Sequence, residues 1–241
     1  MRRLLSLFLV LPFLTVLASA QQVKPCGTSV LARRHIAHTR AENGQGSGLI
    51  YAGEKRALVI LVAFPDKPFS ENARQEWQDI ICLPGYHEHQ APGSVSDYFY
   101  DQSYGQFRIL FDVVGPVEAV HPYAYYGKNK HWDIFNVEFD QNDGELVEEA
   151  CRAVADSVSF SDYDWDADGR VDMVYLLYAG YGEADYYRED PDVVWPHMGI
   201  LSEDWADSYP EGITLQGLII DQYACSNELA ANGLLAGHGR S

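Results

Sequence analysis

The chain has 241 residues, 47% of them hydrophobic and 22% charged, a globular composition that excludes a disordered, collagenous or wholly membrane-spanning protein. Seventeen Lys and Arg stand against thirty-five Asp and Glu, a formal net charge of −18. Phosphate recognition needs a basic face, so this balance argues against a nucleic-acid partner and against docking on anionic lipid. It suits an exported protein that binds cations.

Met1, Arg2 and Arg3 make a short basic start, Leu4 to Leu17 is apolar, and Ala18-Ser19-Ala20 fits an A-x-A cleavage site. Residues 1–20 therefore read as a signal peptide cleaved before Gln21, which places the mature protein outside the cell or in the periplasm. No later stretch is long enough to span a bilayer, so no membrane association is expected after cleavage. Residues 21–53 form a low-hydrophobicity lead with a Gly-rich stretch from Gly44 to Gly48, read as a pro-segment or linker. The domain proper runs over 54–241. Export permits disulfides among Cys26, Cys82, Cys151 and Cys225, which allow three complete pairings. Cys151 and Cys225 sit in apolar elements, where buried free thiols are the alternative.

The continuous apolar run from Arg56 to Phe64, closed by Pro65, predicts a buried central strand. Glu71 to Cys82 predicts a helix ended by Pro84-Gly85. Ser94 and Asp97 have capping-box spacing at the head of a helix over Val95 to Gln102, with Val95, Tyr98 and Phe99 on one face. Phe107 to Val113 and Gly115 to Val120 read as two strands around a Gly-Pro turn. Glu145 to Val158 is the best amphipathic helix, its stripe being Leu146, Val147, Ala150, Cys151, Val154 and Val158. Asp172 to Gly180 and Leu215 to Cys225 are further strands. Together these elements predict an α+β fold, a mixed twisted sheet with covering helices.

The strongest local motif runs from Asp164 to Asp172, with Asp at 164, 166, 168 and 172 and Gly at 169. Oxygen ligands at alternate positions of a tight loop, with Gly at the sixth, form the D-x-D-x-D-G calcium pattern. Asp164, Asp166 and Asp168 would ligate through their side chains and Arg170 through its carbonyl, with Asp172 acting directly or through water. An EF-hand has Glu at position twelve, but here Tyr175 holds that place and a strand follows. The bland alternative is a solvated acidic turn. Calcium here would stabilise the fold and take no part in chemistry. The acidic residues Glu183, Asp185, Glu189, Asp190 and Asp192 are irregularly spaced and read as a solvated face.

None of the eight histidines forms H-E-x-x-H, the helical spacing that places two zinc ligands on one face. His87-Glu88-His89 lies between Pro-Gly and Ala-Pro-Gly and reads as an exposed loop. His35, His38 and His238 lie in polar or terminal stretches. No G-x-S-x-G elbow or Walker loop occurs.

Several of these segments resemble one family, the immune inhibitor A-like secreted metallopeptidases (peptidase family M-six). The resemblance runs through Arg56 to Phe64, Gly93 to Phe107, Phe111 to Val117, Tyr123 to Gly127, the acidic loop into Tyr178 to Glu183, Trp195-Pro196-His197, and Tyr223 to Leu229. It implies a secreted zinc endopeptidase of zincin-like fold acting on protein or peptide substrates, with calcium-stabilised loops. In that family zinc polarises the scissile carbonyl and activates a water. The family's H-E-x-x-H helix is expected shortly after the block matching Tyr223 to Leu229, yet residues 230–241 do not contain it. The resemblance thus implies an N-terminal part of the catalytic domain, C-terminally incomplete and inactive alone. A non-catalytic, calcium-stabilised peptide-binding protein is the alternative. In a zincin-like fold Tyr223, Ala224 and Cys225 would lie on an edge strand beside which substrate extends, whereas a plain core strand is the other reading of that segment.

Overall fold

A computed structural model describes residues 51–132, 137–184, 192–230 and 233–236. The signal peptide, all but the last residues of the 21–53 lead, Cys26, His35, His38, Asp185, Glu189, Asp190 and His238 lie outside the described residues.

The strands are β1 (Gly53–Ala63), β2 (Phe107–Glu118), β3 (Asn129–Trp132), β4 (Val137–Asp140), β5 (Arg170–Val171), β6 (Val174–Tyr181), β7 (His197–Ile200), β8 (Ile213–Leu215), β9 (Leu218–Ile220) and β10 (Gln222–Leu229). The helices are α1 (Ala73–Cys82), α2 (Val95–Gln102), α3 (Tyr123–Tyr126), α4 (Asp143–Val154) and α5 (Leu201–Asp204). The main sheet has five strands in the order β2-β1-β6-β10-β7. Its first four strands run parallel, and β7 alone is antiparallel, paired with β10. Two smaller sheets hold β3-β4 and β5-β9-β8. No helix among the described residues is long and apolar enough to cross a membrane.

The apolar run becomes β1 because both of its faces are covered, which is what a parallel strand requires. Leu58, Ile60 and Val62 pack with Leu146, Val147, Ala150, Cys151 and Val154 of α4. Val59 and Leu61 point the other way, onto Ala73, Trp77, Ile80 and Ile81 of α1. Each of these strand side chains is at most 2% exposed and contributes about 2 kcal/mol by leaving water.

Three expectations require correction. The segments on either side of Gly115-Pro116 form one strand, β2, parallel to β1, and not a hairpin. The Gly-Pro pair is taken up as a bulge, because Ile60 faces Val114 while Val62 faces Val117. Gly115 has φ +93, and a Cβ there would lie 2.6 Å from the Leu61 carbonyl oxygen, so only glycine fits.

On α2 the capping box forms as expected. Ser94 Oγ accepts from the Asp97 N–H at 3.1 Å, and Asp97 Oδ2 accepts from the Ser94 N–H at 3.0 Å. Of the predicted face, only Phe99 turns inward, its ring 6.2 Å from that of Phe107 and 6.3 Å from that of Phe111. Val95 and Tyr98 are exposed and Ser96 is buried, donating its hydroxyl to the Ile109 carbonyl at 2.7 Å. A satisfied hydroxyl let the helix sit on the strand through its small side chain.

The run from Leu215 to Cys225 is likewise not one strand but takes in the end of β8, all of β9 and the start of β10. Gln216 (φ 52) and Gly217 (φ 82) turn β8 back onto β9, and β10 starts afresh at Gln222. β10 is an internal strand. Tyr223, Ala224 and Cys225 pair with Val174, Tyr175 and Leu176 on one side, and with Gly199, Met198 and His197 on the other. These three residues therefore do not form a substrate edge, because their backbone groups are spent within the sheet. On that side the edge strand is β7.

Cys82, Cys151 and Cys225 are free thiols. Burial pushes the Cys151 thiol up to about 12, so it is inert packing on α4.

Candidate functional site

The acidic loop lies between a 3-10 turn at Phe160–Tyr163 and β5. Its backbone is fixed from both ends. The Asp172 N–H donates to the Tyr163 carbonyl at 3.0 Å, and the Ile219 N–H of β9 donates to the Gly169 carbonyl at 3.0 Å. Trp165 staples the loop to the start of β1. Its indole N–H donates to the Arg56 carbonyl at 2.6 Å, and its own carbonyl accepts from Lys55 Nζ at 2.6 Å. Ala167 (φ 60) and Gly169 (φ 88) supply the left-handed turns that fold the loop inward.

Asp164 Oδ1 and Oδ2 accept from the Asp168 and Gly169 N–H groups, at 3.1 and 3.0 Å. Asp168 Oδ1 accepts from the Arg170 N–H at 2.8 Å. One carboxylate oxygen from each of Asp164, Asp166 and Asp168 lies within 4.8 Å of the others. Oxygens at that separation fit around a cation with bonds of about 2.4 Å.

No Lys or Arg among the described residues pairs with these three carboxylates. Lys55 is spent on a carbonyl and Arg170 on Asp221. Uncompensated like charges held together are a feature a hard divalent cation relieves, so the residues fit calcium. The expected ligands thus divide. Asp164, Asp166 and Asp168 converge, while Asp172 lies outside the convergent set and closes the loop by accepting from the Trp165 N–H at 2.5 Å. Burial, followed by the charges of Asp166, Asp164 and Asp168, raises the Asp172 carboxyl above its ordinary range. Arg170 is set by β5, with its side chain directed to Asp221.

A second polar cluster was not anticipated from the sequence. His197 on β7 places Nε2 2.9 Å from Asp143 Oδ2, at the head of α4, and 2.9 Å from the Tyr223 hydroxyl on β10. Tyr223 donates to the same Asp143 oxygen at 3.0 Å. Nδ1 of the ring lies 2.7 Å from the Trp195 carbonyl, and Cys225 Sγ lies 3.4 Å from Nδ1. Burial opposes charge on the ring, but Cys225, Tyr223 and Asp143 outweigh it and hold the His197 pKa well above 6.5.

Cysteine, histidine and aspartate here stand in the order of a nucleophilic triad, yet the hydrogen bonds do not match that chemistry. With Nδ1–H directed at the Trp195 carbonyl, the ring nitrogen that faces Cys225 has no lone pair with which to take its proton. The thiol is also buried. The cluster is an internal polar brace joining β7, β10 and α4. Nearby, Asp140 accepts from the Trp195 N–H at 2.8 Å through Oδ2, while its buried Oδ1 has no partner. Burial and the Asp143 charge push its carboxyl up to about 7.

His87 and His89 lie on an exposed turn and belong to no convergent ligand group among the described residues. In the sequence Trp195-Pro196-His197 stands out only as one block of the family resemblance, and nothing there points to the brace. Its partners lie 54 residues before and 26 residues after His197, so no spacing rule links them. No family model matches the chain, and no curated protein matches it.

Proposed function

We propose that this chain is a secreted protein of the immune inhibitor A-like metallopeptidase type and contributes the calcium-stabilised, substrate-facing part of a zincin-like fold. The observation that carries the calcium assignment is the convergence of Asp164, Asp166 and Asp168 within 4.8 Å, without a cationic side chain. The order of motifs along the mixed sheet supports the family reading, since the matching segments fall on β1, α2, β2, β6, β7 and β10. β7 also supports it. An antiparallel edge strand offers one row of backbone groups to which an extended peptide adds.

Zinc, when bound in such peptidases, polarises the scissile carbonyl and activates water. The residues present do not fit it as a catalytic ion, because the 241 residues contain no H-E-x-x-H and His197 is spent within the brace. No catalytic step is assigned to any residue of this chain. The alternative, a non-catalytic peptide-binding protein, rests on the same edge strand.

The deciding experiment is nucleotide sequencing through and past the Ser241 codon, translated in all frames, together with a casein-cleavage assay of the chain. An H-E-x-x-H helix directly downstream, and no cleavage by the chain alone, supports the peptidase reading. A stop codon with no such helix in any frame overturns it and leaves peptide binding.

A further inference from the structure

The connection after β2 returns to the main helix at a point remote in sequence from the acidic loop. There His121 meets Glu145 and Glu149, which stand one turn apart on α4 and so share a face. A ring nitrogen of His121 and one carboxylate oxygen from each glutamate all lie within 4.8 Å of one another. His121 Nε2 is 4.0 Å from Glu145 Oε1.

The remaining hydrogen bonds orient these groups. Tyr125 donates its hydroxyl to Glu145 Oε2 at 2.8 Å, leaving Oε1 turned to the imidazole. Glu149 Oε2 accepts from the Tyr126 hydroxyl at 2.6 Å and from the Val120 N–H at 2.9 Å, which leaves its Oε1 unspent. The His121 ring lies against Tyr125, with centroids 4.1 Å apart and planes tilted by 35°. Each carboxylate thus has one oxygen fixed by an outer partner and one available, the arrangement that outer-shell partners give to metal ligands. Among the described residues no Lys or Arg pairs with either glutamate; the neighbouring Arg152 is engaged by Glu148. The His121 and Glu145 side chains are 40% and 41% exposed, so an ion enters from solvent and water completes its coordination.

We propose that His121, Glu145 and Glu149 form a second metal site, for a divalent ion of the zinc class, which clips the β2–α3 connection to α4. The imidazole donor separates this site from the oxygen-only acidic loop, because calcium and magnesium take oxygen ligands whereas zinc takes imidazole with carboxylate. Closing around zinc draws the ligand atoms to about 3.5 Å apart, for bonds of roughly 2.1 Å. The proposal is independent of the peptidase reading and concerns a structural ion.

The test is calorimetric titration of the untagged chain with Zn2+ in the presence of saturating calcium, followed by Co2+ absorption. The wild type takes up one tightly held Zn2+, and its Co2+ form shows visible d–d bands without a thiolate charge-transfer band. His121→Ala and Glu145→Gln each weaken that uptake at least about tenfold and leave calcium binding unchanged. Should His121→Ala lose the fold by near-ultraviolet dichroism, Glu145→Gln decides by the same criterion. Absence of tight Zn2+ uptake by the wild type, or uptake undiminished in the variants, overturns the proposal.

Discussion

Arg170 lies inside the acidic loop, yet its charge is directed out of it, with Nη2 2.6 Å from Asp221 Oδ2. Asp221 is buried and also accepts from the Ser202 N–H at 2.8 Å and the Ser202 hydroxyl at 2.9 Å. The pair diverts the nearest guanidinium from the three converging aspartates and leaves them for a cation.

Replacing Asp221 therefore acts on two properties. Asp221→Asn is expected to cost about 1–3 kcal/mol, since the buried acceptor loses its charge while the half-exposed guanidinium returns to water. The released Arg170 also competes for the loop, so calcium binds several-fold more weakly. Urea unfolding with and without calcium checks both effects, and an unchanged calcium response would contradict the second.

Asp172 makes the calcium effect dependent on pH. Its carboxyl is raised by burial and by the loop's own charges, so the ion-free folded state holds a proton that the unfolded chain has released. Stability of the ion-free protein falls as pH rises through that window. Bound calcium removes the penalty, so the calcium-induced rise in melting temperature grows as pH rises above the ordinary carboxylate range. A rise independent of pH would count against coupling of Asp172 to the ion.

The brace depends on pH with the same sign. The raised His197 pKa means that its contribution is complete below about 6.5 and is lost as pH rises through the higher folded value. Asp143→Asn leaves the imidazolium without its charged partner and is expected to cost about 3–5 kcal/mol. Chemical denaturation at pH 6 measures this, and a loss under 1 kcal/mol would show the pair to be dispensable.

For Asp140, held at about 7, the folded state keeps its proton as the unfolded state loses one from about pH 4. Stability declines between those values by roughly 4 kcal/mol and is level above them. Asp140→Asn should flatten the pH profile relative to wild type while its amide oxygen still accepts from Trp195. Parallel profiles for the two proteins would refute the assignment.

Local pattern made β1, the α2 capping box, the α4 stripe and the acidic loop legible, because each is written within a dozen consecutive residues. Pairing was not written there. The Gly115-Pro116 punctuation looks the same whether it turns a hairpin or bulges a parallel strand, and only the Leu61 carbonyl opposite decides. The face of α2 is legible only in part, because Phe99 packs inward as an apolar residue should while nothing local announces the hydrogen bond that Ser96 finds on β2. The His197 brace unites three elements far apart in sequence. The central place of β10 depends on β7, a four-residue strand too short for a periodicity signal.

The most direct test is calorimetric titration of calcium into the mature chain and into Asp166→Ala. Asp166 belongs to the convergent set, and among the described residues its side chain makes no hydrogen bond, so its removal spares the ion-free fold. One calcium per chain is predicted, with about 2.7 kcal/mol of stabilisation at a hundredfold excess over Kd, and at least a tenfold loss of affinity in Asp166→Ala without change in ion-free stability. No calcium uptake by the wild type, or equal uptake by both proteins, would contradict the loop as a calcium site.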